Sequence, residues 1–283
     1  MKRIGRINVA LFLIPLLICS LSTLLLLSLD LDLTKRQVLF FIVGYLCYFL
    51  ISNIDFDIIL LFWKHIYLVV LALLTATKFL GESVRGSVRW LNLNGFGFQP
   101  SEFAKISLII FLSGFLASRR GEKLDARSII LSALIIFPLI LLTLRQPDFG
   151  TALVMLLIYF VTLFIRGVNA KFMFFCFVLL GIVSGPLWNG LKVYQKERIL
   201  VFVNPYLDPL GSGYNVVQSR IAVGSGMFFG KGYGHGTQSR LRFLPEYHTD
   251  FVFASFSEEF GLVGVALLLV LFFLLLLSII KIA

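Results

Sequence analysis

Long apolar blocks free of charge set the limits on what this chain can become. No charged residue interrupts Leu262–Ile280 or Val9–Leu29. A helix that crosses a bilayer needs roughly 20 apolar residues, with about 17 as a lower limit. Val38–Ile54, Ile58–Phe79 and Phe172–Trp188 also reach that length, the second with Lys64 and His65 near its start. Pro100–Leu116 does so if it accommodates Glu102 and Lys105. Ile129–Leu144 and Thr151–Ile165 fall at or just under the limit, but they flank a tight turn and can borrow residues from it. Backbone groups in lipid must be satisfied within the segment, so these blocks predict helices rather than strands. The expectation is an all-α polytopic membrane protein with about eight transmembrane helices and one long extracytoplasmic loop, about 191–250.

Composition agrees, with 59% hydrophobic and 14% charged residues. Lys2, Arg3 and Arg6 before an apolar run mimic a secretory signal. The run is too long for a signal core, and no small-x-small cleavage site follows, so it predicts a first permanent helix. Cys19, Cys47 and Cys176 all lie in apolar blocks, which argues against a disulfide framework, and no Cys/His cluster has zinc spacing. The net charge of +10 would fit nucleic acid in a soluble protein; here the placement of charge matters more. The basic cluster Arg119–Arg127 argues for a cytoplasmic N-terminus. Lys35, Arg36, Lys78, Arg85, Arg89 and Arg145 then fall outside, a surplus that suits an anionic ligand handled on the outer face, without nucleic acid as a partner.

Four polar segments carry the candidate chemistry. In Gln99–Lys105, Pro100 opens a helix, and Glu102 and Lys105 share a face and can pair, for packing or for function. In Arg145–Thr151, Pro147 ends one helix and Asp148 can cap the next; a capped turn accounts for every residue. In Leu244–Phe251, Glu246, His248 and Asp250 lie within five residues where polar loop meets apolar helix. They could supply a general base or part of a divalent-cation site, or Thr249 or Asp250 could cap a helix at Phe251–Phe260. In Gly224–Gly236, backbone amides near Lys231, Arg240 and Arg242 could form an anion nest, or turns at the membrane surface. No strand–loop–helix context makes this a nucleotide-binding loop. Tyr214–Val223 predicts a short amphipathic helix, Glu258-Glu259 a solvated helix end, and Trp90 an aromatic-belt residue.

These motifs occur in a telling order: RGSVRWLNLNGFGFQPSEFAKI, RQPDFGTA, YQKERILVFVNPYLDPLGSGYNVVQSRIAVGSG, and GKGYGHGTQSRLRFLPEYHTDFVFASFSEEFGLVG. Together they resemble the SEDS family of bacterial cell-wall proteins (RodA, FtsW and SpoVE), from about the third predicted helix to the eighth. HGTQS and DPLGSGYNVVQS look more like the RodA branch. The resemblance implies a single SEDS-type transmembrane domain over 1–283 that lacks the last two of the family's ten helices. It implies an inverting peptidoglycan glycosyltransferase of the bacterial plasma membrane that polymerises lipid II, an undecaprenyl-pyrophosphate-linked disaccharide, beside a class B penicillin-binding protein. The family's essential aspartate falls on Asp250, its PSE..K pair on Glu102 and Lys105, and its QPD aspartate on Asp148.

Glycosyl transfer needs a base for the acceptor hydroxyl and charge for the departing pyrophosphate. Asp250 is expected as the base, with Glu246 and His248 beside it on the substrate. Arg89, Arg145, Arg198, Arg220 and Lys231, or a magnesium or manganese ion, are expected to steady the pyrophosphate, with Glu102, Lys105 and Asp148 as scaffold or tuning residues. A lipid II flippase and a non-catalytic scaffold for the penicillin-binding protein are the rivals. Polarity concentrated on one face disfavours the flippase.

Overall fold

The computed structural model describes residues 8–84, 87–93, 96–119, 125–190 and 193–282. Lys2, Arg3, Arg6, Arg85, Arg120 and Lys123 lie outside them. The helices among the described residues are α1 (Val9–Leu29), α2 (Leu31–Ser52), α3 (Phe56–Leu61), α4 (Trp63–Leu80), α5 (Pro100–Ala117) and α6 (Ala126–Arg145). They continue with α7 (Phe149–Ile165), α8 (Ala170–Gly190), α9 (Val193–Val203), α10 (Tyr214–Ser225), α11 (Thr237–Arg240) and α12 (Val252–Ile280). Among the described residues, α1, α2, α4, α5, α6 and α12 are long and apolar enough to cross a membrane; α7 is equally apolar but has 17 residues. Phe172–Trp188 falls within α8. Large apolar side chains such as Phe40, Leu153 and Phe273 stay exposed on these helices, as lipid-facing residues must. The chain is a multi-pass membrane protein.

The fold is mostly helical, as expected, and one small sheet accompanies the helices. Strands β1 (Glu82–Val84), β2 (Ser87–Leu93) and β3 (Phe96–Phe98) form an antiparallel sheet in the order β1-β2-β3. Ser83 pairs with Val88, and Leu91 with Phe98. Alternating types along Val88–Leu93, followed by an Asn94-Gly95 dipeptide, carried a hairpin signal.

The chain divides into two compact units, one of residues 1–53 and 187–283, the other of residues 54–186. In the first, Asp30 ends α1 by donating its amide to Leu26 O, and starts α2 by accepting from the Asp32 amide at 2.8 Å. One residue therefore serves two helix ends, which makes the reversal between α1 and α2 tight. The Tyr45 hydroxyl donates to Phe12 O at 2.8 Å, and the two rings meet edge to face at 5.2 Å. α12 packs against α1 and α10. In the second unit α5 is central: Leu108 and Leu112 are fully buried among Leu74 of α4, Leu139 of α6 and Met155 of α7. Tyr159 Oη donates to Ile129 O and lies 3.1 Å from the Ser132 hydroxyl, so its polar end is satisfied inside the core.

Candidate functional site

The turn 244–251 is anchored on both sides. Leu244 is fully buried against Ala222 of α10 and Ala254 of α12, and its amide donates to Gln238 O at 3.0 Å. The Thr249 and Phe251 amides both donate to Glu246 O, with Glu246 at a left-handed φ of 52°. The Ser255 hydroxyl, inside α12, donates to Tyr247 O at 3.0 Å and joins Ser239 Oγ at 2.8 Å. The Thr249 hydroxyl donates to Glu246 Oε2 at 3.1 Å. Asp250 is exposed, and among the described residues its carboxylate accepts no hydrogen bond. The expected cap at Thr249 or Asp250 is absent: the N-cap of α12 is Phe251, without a side-chain bond. The turn is set instead by backbone bonds to Glu246 O, so neither side chain is needed to start the helix. Beside Asp250, the Nδ1 of His248 is buried without a hydrogen-bond partner. The turn thus presents an uncommitted carboxylate and an unsatisfied imidazole nitrogen on a fixed backbone.

Behind it lies an arrangement the sequence did not reveal. Glu258 and Glu259 are 0% and 1% exposed, not a solvated helix end. One carboxylate of Glu258 accepts from the Gln238 and Ser239 amides, the Thr237 hydroxyl and Lys231 Nζ, the last at 2.7 Å. Glu259 accepts from the Gly234 amide at 3.1 Å and from the Ser28 hydroxyl of α1 at 2.8 Å. The amides that receive Glu258 belong to the start of α11, beyond the glycine-rich loop where a nest was expected; that loop gives one amide, of Gly234, to Glu259. Gly261 interrupts α12 at φ 63°, ψ −164°. The break frees backbone groups, and the loop takes them up: Leu262 N donates to Met227 O, Val263 N to Phe228 O, Lys231 N to Glu258 O and Gly232 N to Glu259 O. A Cβ on Gly261 would overlap the Gly230 amide nitrogen, so the close approach needs glycine. Two adjacent carboxylates within an otherwise apolar segment, followed by glycines, were the available signal.

In the second unit Asp148 caps α7, accepting from the Thr151 amide at 3.3 Å, and it is 7% exposed. Gln99 Nε2 donates to its other oxygen at 3.3 Å. Arg89 reaches across from β2 and donates to the carbonyls of Gln146, at 3.0 Å, and Pro147, at 2.7 Å, with its guanidinium 3.8 Å from Asp148. Arg89 is therefore engaged in holding the α6–α7 turn. Glu102 and Lys105 do pair, at 2.9 Å, with Glu102 54% exposed. Arg145 is exposed at the end of α6.

The remaining cations lie in the first unit. Arg220 is exposed on α10, its guanidinium 5.8 Å from the Tyr206 ring. Lys231 is held by Glu258, and Arg240 donates to Gly234 O. Arg198 belongs to α9, and its side chain lies outside those described. The Asp208 carboxyl, closing the turn before α10, accepts from the Ser212 amide and hydroxyl and the Gly211 amide, which hold it below the usual carboxylate range. Among the described residues no three His, Cys, Asp or Glu side chains converge as a metal cage.

A family model described as a cell cycle protein, of FtsW, RodA and SpoVE, matches residues 4–283. The chain is 40% identical over 240 residues to a probable peptidoglycan glycosyltransferase FtsW of Aliivibrio salmonicida, covering 84% of this chain and 59% of that protein. It is 40% identical over 212 residues to the peptidoglycan glycosyltransferase MrdB of Escherichia coli, covering 75% of this chain and 57% of that one. The chain thus spans under two thirds of the length of these relatives. A chain in a solved peptidoglycan synthase complex, described as coordinating polymerization and crosslinking, superposes with a TM-score of 0.80 at 31% identity, covering 96% of this chain and 76% of that chain. The rod shape determining protein RodA of Thermus thermophilus superposes with a TM-score of 0.66 at 28% identity, covering 95% and 72%.

Proposed function

The chain belongs to the FtsW, RodA and SpoVE family of cell cycle proteins, and from that premise we propose that it is a peptidoglycan glycosyltransferase of cell elongation. Its substrate is lipid II, and it works at the outer face of the plasma membrane, with its N-terminus in the cytoplasm and a class B penicillin-binding protein as partner. The names of its relatives and the peptidoglycan synthase complex among its structural neighbours support this reading. The HGTQS stretch supports the assignment to elongation.

The observation that carries the mechanism is the uncommitted carboxylate of Asp250 on a turn fixed by other residues. Asp250 accepts the proton of the acceptor sugar's hydroxyl. The hydroxyl oxygen then bonds to the anomeric carbon of the donor. The bond from that carbon to the diphosphate oxygen breaks, its electron pair leaves with undecaprenyl diphosphate, and the anomeric centre inverts. His248 and Glu246 contact the sugar, and Arg220, without an ion pair among the described residues, faces the departing diphosphate charge. Arg198 and Lys231 add positive charge in the same unit, while in the other unit Arg89 and Asp148 hold the α6–α7 turn, Glu102 pairs with Lys105, and Arg145 is given no part in the chemistry. If a magnesium or manganese ion takes part, the carboxylates of Asp250 and Glu246 would help to hold it, and it would supply positive charge to offset the diphosphate.

The test is the purified full-length protein incubated with labelled lipid II. Glycan ladders are expected, and they separate polymerase from flippase and from scaffold. Asp250→Asn should lower the rate by about 10²–10⁴-fold. Thermal stability should stay at the parental value, because Asp250 caps no helix. A parental polymerisation rate in Asp250→Asn would overturn the assignment.

A further inference from the structure

The second unit carries a cleft that the proposed chemistry does not use. It has a volume of about 300 Å³ and lies where α4 and α6 end, with Leu74, Val88 and Leu142 among its walls. Two cations line it: Lys78, in the last turn of α4, and Arg145, the last residue of α6. Among the described residues neither forms an ion pair; Lys78 Nζ approaches only the neighbouring Phe79 ring, at 5.8 Å. Each cation also offsets the dipole of its own helix end, but that role needs no cleft.

Gln146 lines the same cleft and supplies the second observation. It is 6% exposed, and its Oε1 is buried with no hydrogen-bond partner. Its amide orientation is fixed by chemistry: Nε2 donates to Leu74 O at 3.1 Å, and the flipped amide would set two carbonyl oxygens against each other. A buried acceptor left without a donor is disfavoured by about 1–3 kcal/mol. The cleft therefore offers two positive donors and one acceptor awaiting a hydroxyl, between apolar walls and at the ends of two apolar helices. Basic pockets between membrane helices bind anionic lipid head groups.

We infer that Lys78, Arg145 and Gln146 form a binding site for a phosphodiester lipid with a hydroxylated head group. The phosphate sits between the two cations, a head-group hydroxyl donates to Gln146 Oε1, and the acyl chains leave along the apolar walls. The inference is independent of the glycosyl-transfer reading.

The full chain, purified in detergent and stripped of lipid, is titrated with lipids of one acyl composition and read by native mass spectrometry. Phosphatidylglycerol should be retained roughly tenfold better than phosphatidylcholine, corresponding to about 1.4 kcal/mol. Phosphatidylmethanol, of equal charge but without hydroxyls, should fall between them. Lys78→Ala/Arg145→Ala should abolish the preference for phosphatidylglycerol, and Lys78→Arg/Arg145→Lys should keep it. Gln146→Leu should erase only the gap between phosphatidylglycerol and phosphatidylmethanol. Inorganic pyrophosphate should not displace the lipid at millimolar concentration; displacement would make the site one for free phosphates and overturn the inference. Equal retention of phosphatidylglycerol and phosphatidylcholine, or an unchanged preference in the double alanine variant, would overturn it as well. Polymerisation assays on the same preparations keep this result apart from any failure of the enzymatic reading.

Discussion

Two lysine–glutamate pairs with the same chemistry sit in opposite surroundings. In one unit Glu102 and Lys105 meet at 2.9 Å within the first turns of α5, with Glu102 54% exposed. In the other, Lys231 meets Glu258 at 2.7 Å, with Glu258 0% exposed and also bonded to two amides and a hydroxyl. The first pair is local and adds an ordinary helix contact. The second joins a loop to a helix and fills a nest that would otherwise be an open anion site. Distance alone does not separate them; enclosure and the number of donors do. A charge taken from water is stabilised only when its partners and hydrogen bonds are complete.

The largest expected effect falls on the enclosed pair. Glu258→Ala strands Lys231 and three further donors, and should lower stability by about 3–5 kcal/mol. Thermal unfolding in detergent checks it; a melting temperature equal to the parent's would erase the contrast between the pairs. Next comes the helix break that delivers Glu258. Gly261→Ala places a side chain at φ 63° and against Gly230, which should lower stability by about 1–3 kcal/mol and expose the 231–238 amides to hydrogen exchange. Unchanged exchange there would show that the enclosed pair does not depend on the break. Asp148, the buried carboxylate of the other unit, is a cap with an arginine nearby. Asp148→Ala should lower stability by about 0.5–2 kcal/mol in the same melt, and a loss matching that of Glu258→Ala would put the two carboxylates in one class. The smallest effect belongs to Glu102→Ala, below about 1 kcal/mol. If it instead equals Glu258→Ala, the local pair is enclosed after all.

What could be read from the residues follows the same division. Helices came from uninterrupted apolar runs, and the α6–α7 turn from Pro147 and Asp148, because those signals are local. Glu246, His248 and Asp250 were found together because they are neighbours in the chain. Glu102–Lys105 drew attention because their spacing advertises a pair. Lys231–Glu258 did not, since 27 residues separate them. Nothing in the two glutamates alone reports that a loop will bring amides to them. The sheet at 82–98 is harder to read for another reason: its short alternation before Asn94-Gly95 stands in a chain dominated by long apolar helical blocks.

The break at Gly261 also sets an order of events during synthesis. The 227–238 segment leaves the ribosome before the carboxylates and carbonyls that will hold it. Until α12 is made, the amides of Lys231, Gly232, Gly234 and Gln238 lack the partners they have in the folded chain and are left to water. The same goes for Ser28, translated far earlier, which awaits Glu259. Helix α12 thus acts as a keystone: its arrival in the bilayer supplies the groups that hold the loop and ties it to α1 through Ser28 and Glu259. A nascent chain stalled before Phe256 would carry that whole polar segment unfastened at the membrane surface.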